Sequence, residues 1–447
     1  MKTKTTPTTN PINGRSLRCG LFLIALMLAV PTATYAGGVM PGVRRPIANA
    51  GYGMIWQVPN DNGRDGLSGG MAPASVTISS STVDTDLYTG YENAIFAPDD
   101  NTVYVAYKRF LSDPTTPGYI PAELRIAKSI DAGQTWTIAV VDPDAIEEGD
   151  TINNSVSIDG YRGSVVYVAY LVQPSGLFAD IKLRVAKSTD GGSTWTTRTV
   201  AQGAGGDQNS IRVLNPNTAV ISAHANGAAE GIHTFITRDG GTTWSDTLVA
   251  GGIGNGYYTS VGAVDSRSIW VGYYNSLYPD HQDMNAGKRL QGGSWDNFLV
   301  DDAGDGIAGL GSSITVAPNR AVYAAYEADT SSGAFVRVAS KRNGAPWNVV
   351  DVQSDITIGW NTAIHEFNGK LYVSYWRVPS GSIGLAMWAV SGDTGLTWTP
   401  ITIPETRSVT PYIDSTAPSN FTQFESYQTV DPSTFTQPIL QVARIGG

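Results

Sequence analysis

One cysteine, Cys19, and four histidines are spread over 447 residues. Cys19 precedes the single long apolar run, so neither disulfides nor thiolate metal sites are available beyond it. His224, His233, His281 and His365 have no metal-ligand spacing, and the DHQD stretch at 280–283 stands alone. A calcium-like phrase at 61–66 (DNGRDG) has glycine where a ligand is needed and no closing glutamate. No metal and no cofactor are therefore expected. Basic residues are also scarce, 29 Lys and Arg against 39 Asp and Glu, for a net charge of −10. Scattered cations on an acidic chain exclude nucleic acid and anionic membrane surfaces as natural partners. No G-x-S-x-G elbow, phosphate loop or dinucleotide fingerprint occurs.

The apolar run itself is short. Residues 20–30 (GLFLIALMLAV) follow a leader carrying Lys2, Lys4, Arg15 and Arg18 and no acid, and Thr34-Tyr35-Ala36 resembles a small-residue cleavage site. That is the layout of a secretory signal peptide over 1–36, too short to span a bilayer. The expected protein is secreted or periplasmic, without membrane insertion, and monomeric. Residues 37–75, rich in Gly, Pro and Asn, read as an extended arm.

What the sequence has in abundance is repetition. SIDAGQTW at 129–136 recurs as STDGGSTW at 188–195, TRDGGTTW at 237–244 and SGDTGLTW at 391–398. Between the copies lies a second marker: VYVAY at 103–107 and 166–170, AVISA at 219–223, IWVGY at 269–273, VYAAY at 322–326 and LYVSY at 371–375. Their starts are 63, 53, 50, 53 and 49 residues apart. These Val-, Ile- and Tyr-rich runs, bounded by turn residues, are strands. Four strands per unit and six units predict an all-β, six-bladed β-propeller of antiparallel blades over 76–403. The segment 404–447, with ILQVAR at 439–444, is expected to close the ring.

The repeated octet has a structural rationale. Glycine supplies the positive φ of a sharp reversal between third and fourth strands. Asp131, Asp190, Asp239 and Asp393 accept hydrogen bonds from the turn's own N–H groups. Trp136 and its equivalents offer apolar surface to the next blade, and six of the eleven tryptophans occupy this position. The pattern S/T-x-D-x-G-x-T-W resembles the Asp-box, or BNR repeat, of the sialidase superfamily. The resemblance spans roughly 92–403 and implies a propeller with the boxes on the rim opposite the binding face. Such boxes occur in enzymes and in non-catalytic propellers alike.

Strand direction then places the binding face where second strands end. The seventh residue of that strand is Arg109 in the first unit and Arg377 in the sixth, which are neighbours in a closed ring of six. With Lys108 they would form a cationic corner for a carboxylate, sulfate or phosphate, unless acids of adjacent loops pair them. A second ring precedes each first strand: Glu92, Asn153, Gln208, Tyr258, Gly311 and Asn361, followed by Asn93, Asn154, Asn209, Thr259, Ser312 and Thr362. These suit either a water-filled channel or the floor of a sugar site, with Tyr258, Tyr274 and Trp376 available to stack. Glu327 and Glu92 are the carboxylates best placed for acid–base work.

The resemblance also implies an arginine triad, a tyrosine nucleophile with a glutamate, and an aspartate acid/base. VRRPIA at 43–48 lacks the family's Phe/Tyr-Arg-Ile-Pro order, and Glu425 with Tyr427 comes from one strand. The sequence therefore predicts an exported, sialidase-like propeller that recognises a glycan or other polar or anionic small ligand, with hydrolysis open. The alternative is a non-catalytic module that binds an exported protein.

Overall fold

A computed structural model describes residues 54–55, 76–113, 118–149, 156–174, 180–203, 208–225, 230–252, 255–275, 282–304, 306–342, 344–356, 361–379, 383–419, 422–433 and 437–446. The leader at 1–36, the phrase at 61–66, VRRPIA, Asn153, Asn154 and His281 lie outside the described residues. Among those described, no helix is long and apolar enough to cross a membrane.

The chain forms seven antiparallel blades, not six. Blades 1 to 6 are each cut from one continuous stretch. Blade 1, for example, uses Thr89–Phe96, Val103–Phe110, Ala122–Ser129 and Thr137–Asp142, from channel to rim. Blade 7 takes its first three strands from the C-terminal end, Ser408–Thr416, Thr422–Val430 and Ile439–Gly446. Its outer strand is Thr77–Asp84, which precedes blade 1 and pairs antiparallel with Ile439–Gly446 from Thr77↔Gly446 to Asp84↔Leu440. Met54–Ile55 adds a short fifth strand to that sheet. The six-blade expectation fails because the seventh sheet is assembled from both ends of the chain, and its second strand, TQFESYQTV, shares little with VYVAY.

Apolar cores lie between blades. Val103, Val105 and Tyr107 of blade 1 pack on Phe424, Leu440 and Val442 of blade 7, with Trp136 against the same cluster. The box tryptophan thus covers the preceding blade, where the sequence suggested the next. Acids and hydroxyls staple the same seams. The tyrosine at the fifth place of the second strand bonds the end of the preceding outer strand: Tyr107 to Asp84 at 2.6 Å, Tyr170 to Asp142 at 2.5 Å and Tyr326 to Asp301 at 2.8 Å. Arg125, Arg184 and Arg337 join those same aspartates at 2.8, 2.5 and 3.1 Å. At the opposite rim, Lys128 and Tyr104 both donate to the Gly191 carbonyl in the next blade's turn, at 2.7 and 3.0 Å.

The octet turns are alike in detail. Asp131 accepts the Thr135 amide at 2.9 Å and its hydroxyl at 2.6 Å, and the Gly133 amide donates to Ser129 Oγ at 2.9 Å. Asp190, Asp239 and Asp393 make the same pair of bonds to Thr194, Thr243 and Thr397. Gly133 has φ 81° and Gly192 84°, as the reversal requires. Hydrogen bonds from Thr135 hold Asp131 down at about 2, and those from Thr243 do the same for Asp239. Asp190 is lowered likewise by Thr194.

Folded values below the ordinary 3.8 mean these turns stabilise fully above that pH and lose the effect as pH falls toward about 2. The triple variant Asp131→Asn, Asp190→Asn, Asp239→Asn should therefore lose stability at neutral pH and show a flatter decline between pH 4 and 2. Urea midpoints measured across that range check it. A decline as steep as that of the parent would show that other groups carry the acid response.

Candidate functional site

First strands of successive blades stand side by side around a central channel of about 540 Å³. Each presents an unpaired edge to the lumen, and side chains of the preceding blade satisfy part of it. Asp414 of blade 7 accepts the Ile95 amide of blade 1 at 2.9 Å. Asp159 of blade 2 accepts the Val213 amide of blade 3 at 2.7 Å, and Ser210 of blade 3 accepts the Val261 amide of blade 4 at 3.2 Å.

At the mouth where first strands begin, the ladder breaks in a repeated way. Register slips between Tyr91 and Ala94, between Tyr257 and Ser260, and between Leu310 and Ser313. Within these slips, and just before the first strands of blades 3 and 6, the backbone turns left-handed: Glu92 at φ 52°, Tyr258 at 55° and Gly311 at 56°, then Gln208 at 51° and Asn361 at 53°. Four of the five are not glycine, so each stores strain of roughly 1 kcal/mol or more. The geometry turns polar side chains toward neighbouring blades. Ser312 donates to the Tyr258 carbonyl at 2.6 Å, Thr362 to that of Gly311 at 2.8 Å, and Asn361 to that of Pro411. Asn93 completes the seam between blades 7 and 1 by donating to the Tyr412 carbonyl at 3.1 Å, and Gln208 Oε1 accepts the Tyr258 amide.

Not all of this polarity is consumed internally. Asn93 Oδ1, Thr259 Oγ1 and Ser260 Oγ are buried in the channel wall without a hydrogen-bond partner among the described residues. Lower in the same channel lie Asp159, Arg212, His365 and Asp414. Burial, then the charge of Arg212, holds His365 down at about 4, so its ring is neutral at pH 7. Asp159 is raised by burial, which outweighs Arg212 at 3.5 Å.

The residues singled out in the sequence fall in several places. Lys108 and Glu92 form a buried ion pair at 3.4 Å, with side chains 0% and 3% exposed. Arg109 is held by Glu123 at 2.9 Å and Asp86 at 3.5 Å. Arg377 ends the second strand of blade 6, and blade 7 stands between it and Arg109. The cationic corner therefore does not assemble, because its premise was a ring of six. Trp376 is buried and donates to the Val409 carbonyl at 2.8 Å, tying blade 6 to blade 7. Tyr258 and Tyr274 meet edge to face at 6.3 Å, and Tyr274 donates to Gln282 at 3.0 Å. Glu327 is buried on blade 5. The four box aspartates lie in turns at the far rim. Tyr427 donates to Glu405 at 2.5 Å inside the blade 6–7 seam, in the manner of the other stapling tyrosines.

Sequence reasoning missed Asp159, Arg212, Tyr412 and Asp414. The last two belong to blade 7, of which ILQVAR at 439–444 was the strand signal in the sequence.

No family model matches this chain, and no curated protein is similar to it. Solved structures are similar in fold. An ulvan lyase representing a new family of polysaccharide lyase superposes with a TM-score of 0.55 at 11% identity, covering 80% of this chain and 93% of that one. A lectin from Burkholderia pseudomallei gives 0.52 at 11%, covering 80% and 98%. The polysaccharide lyase Uly1 gives 0.52 at 10%, covering 79% and 89%.

Removing one partner of a buried ion pair costs more than removing both, because an uncompensated charge is left behind. Lys108→Met should destabilise by about 3–5 kcal/mol, and adding Glu92→Gln should restore most of that loss. Chemical denaturation of the two variants decides. A Lys108→Met cost below about 1 kcal/mol would mean that the pair is solvated in solution.

Proposed function

We propose that this is an exported propeller that recognises a glycan at the strained mouth and upper wall of its channel, without sialidase-type hydrolysis. The observation that carries the reading is the polar wall: Asn93, Thr259 and Ser260 line the channel, and their Oδ1, Oγ1 and Oγ atoms, buried in that wall, have no hydrogen-bond partner among the described residues. Buried polar groups are normally satisfied, and a site with several such groups has hydrogen-bonding capacity for a ligand. Neutral hydroxyls and amides in a 540 Å³ channel match the chemistry of a sugar better than that of an ion or an apolar molecule. Lectin and polysaccharide-lyase folds among the similar structures agree with this class of ligand.

The carboxylates argue for binding over cleavage. Most glycoside hydrolysis uses two of them flanking the scissile bond, and the sialidase type uses a tyrosine with a glutamate. Here Glu92 is engaged with Lys108, and Glu327 is buried on a blade well round the ring. Tyr427, which departs from the family's nucleophile by sharing a strand with Glu425, is committed to Glu405 and Ser80. A protein-binding module is the second reading, favoured by the exposed Leu87, Ile138 and Val140, which flank the outer strand of blade 7 or lie on that of blade 1.

A glycan array followed by calorimetry on the best hit tests the proposal. Thr259→Val and Ser260→Ala remove one hydroxyl each without touching an inter-blade bond, and each should weaken binding roughly two- to tenfold. Leu248→Thr on the exposed rim should change nothing. If the parent retains no glycan, or the channel variants bind as tightly as the parent, the protein-binding reading takes its place.

A further inference from the structure

The second strand of blade 7, Thr422–Val430, is buried along its entire length yet reads TQFESYQTV. Glu425 stands where blade 1 has Val105 and blade 6 has Val373. It is 0% exposed, and neither carboxylate oxygen has a hydrogen-bond partner among the described residues. Its cross-strand neighbours, Ser415 and Ala443, bring no charge. The next residue back along the first strand is Asp414, which points to the other face of the sheet and accepts the Ile95 amide across the seam to blade 1. Both acids thus sit in the one blade built from the two ends of the chain.

A buried carboxylate without a partner is costly when charged and cheap when protonated. Burial, then the charge of Asp414, pushes Glu425 well above the ordinary carboxylate range. Burial pushes Asp414 up to about 7, against the amides of Ile95 and Ser415 that favour its charge. Glu425 faces blade 6 and Asp414 faces blade 1 and the channel, where Arg212 is engaged with Asp159 at 3.5 Å. His365 of blade 6 is held at about 4 and so is uncharged near pH 7. Tyr375, Tyr412 and Tyr427 are all raised by burial and stay neutral, and Arg377 acts on Tyr375. Glu405 is occupied by Tyr427. Arg444 pairs across from Phe424, which puts it on the face away from Glu425 and on that of Asp414, two strands over on the third strand.

We infer that blade 7 is a proton-dependent latch: the ring closes most firmly with Glu425 and Asp414 protonated and loosens as both ionise. The sign follows from folded values above the ordinary 3.8 and 4.5. Stabilisation is complete below about pH 4 and is lost as pH rises through about 7, opposite to the box turns. Loosening starts at blade 7, because every other blade is one continuous stretch whose pairing needs no distant strand.

Hydrogen exchange read by mass spectrometry on the full chain at pH 5 and pH 8, corrected for the intrinsic rate, tests this. Amides in Thr77–Asp84 and Ile439–Gly446 should open more at pH 8 relative to Ser268–Asn275 of blade 4, by up to about tenfold per pH unit for each linked proton. Glu425→Gln, and separately Glu425→Val to match the other blades, should shrink that difference and raise the unfolding midpoint at pH 8. Equal relative protection at both pH values, or a difference unchanged in both variants, overturns the latch.

Discussion

Each sheet of a propeller leaves its first strand with an edge that faces the channel and has no strand to pair with. Unpaired backbone groups at such an edge need acceptors and donors from elsewhere. In this protein part of the need is met blade to blade, by Asp414 on Ile95, Asp159 on Val213 and Ser210 on Val261. The wall must therefore carry short polar side chains, and the polarity of the channel follows from closing the ring. The left-handed positions at the mouth extend the same solution, since they swing amides and hydroxyls onto neighbouring carbonyls. A few wall atoms, among the described residues, exceed what the seams consume.

The two rims divide the remaining labour. At the far rim the octet turns hold themselves, with Asp131 and its equivalents bonded to residues four places on. There lysines and tyrosines of one blade grip the glycines of the next. Near the mouth, tyrosine, arginine and aspartate staple the second strands of blades 1, 2 and 5 to the previous outer strand. Apolar surface between blades supplies the bulk of the cohesion, as the buried clusters that cross every described seam indicate. Carboxylates consequently do two opposite things here. Those in exposed turns are held charged, while those inside blade 7 are held away from charge.

Much of this was legible in the residues, and the parts that were not share one cause. VYVAY and its variants marked six second strands because apolar strands at regular spacing leave a pattern. The octets marked their turns because glycine and aspartate are there for local backbone reasons. Even the mouth ring was aligned correctly at Gln208, Tyr258, Gly311 and Asn361 before its left-handed geometry was visible. Blade 7 hid because Glu425, Ser426 and Gln428 replace the expected aliphatics, and because one of its strands lies before all the others in the chain. From that single omission came the false adjacency of Arg109 and Arg377. Lys108 and Glu92 were both noticed, but as separate candidates and not as the buried pair they form.

By itself the sequence determined the repeating unit, the strand order within blades 1 to 6 and the form of the turns between third and fourth strands. All of these rest on contacts between residues close in the chain. Only the tertiary structure decided how many sheets complete the circle, which blades face one another across the lumen and which charges are neutralised. Those outcomes depend on pairings such as Thr82 with Gln441, 359 residues apart, and on burial, which a side chain acquires from its neighbours and does not carry in its name.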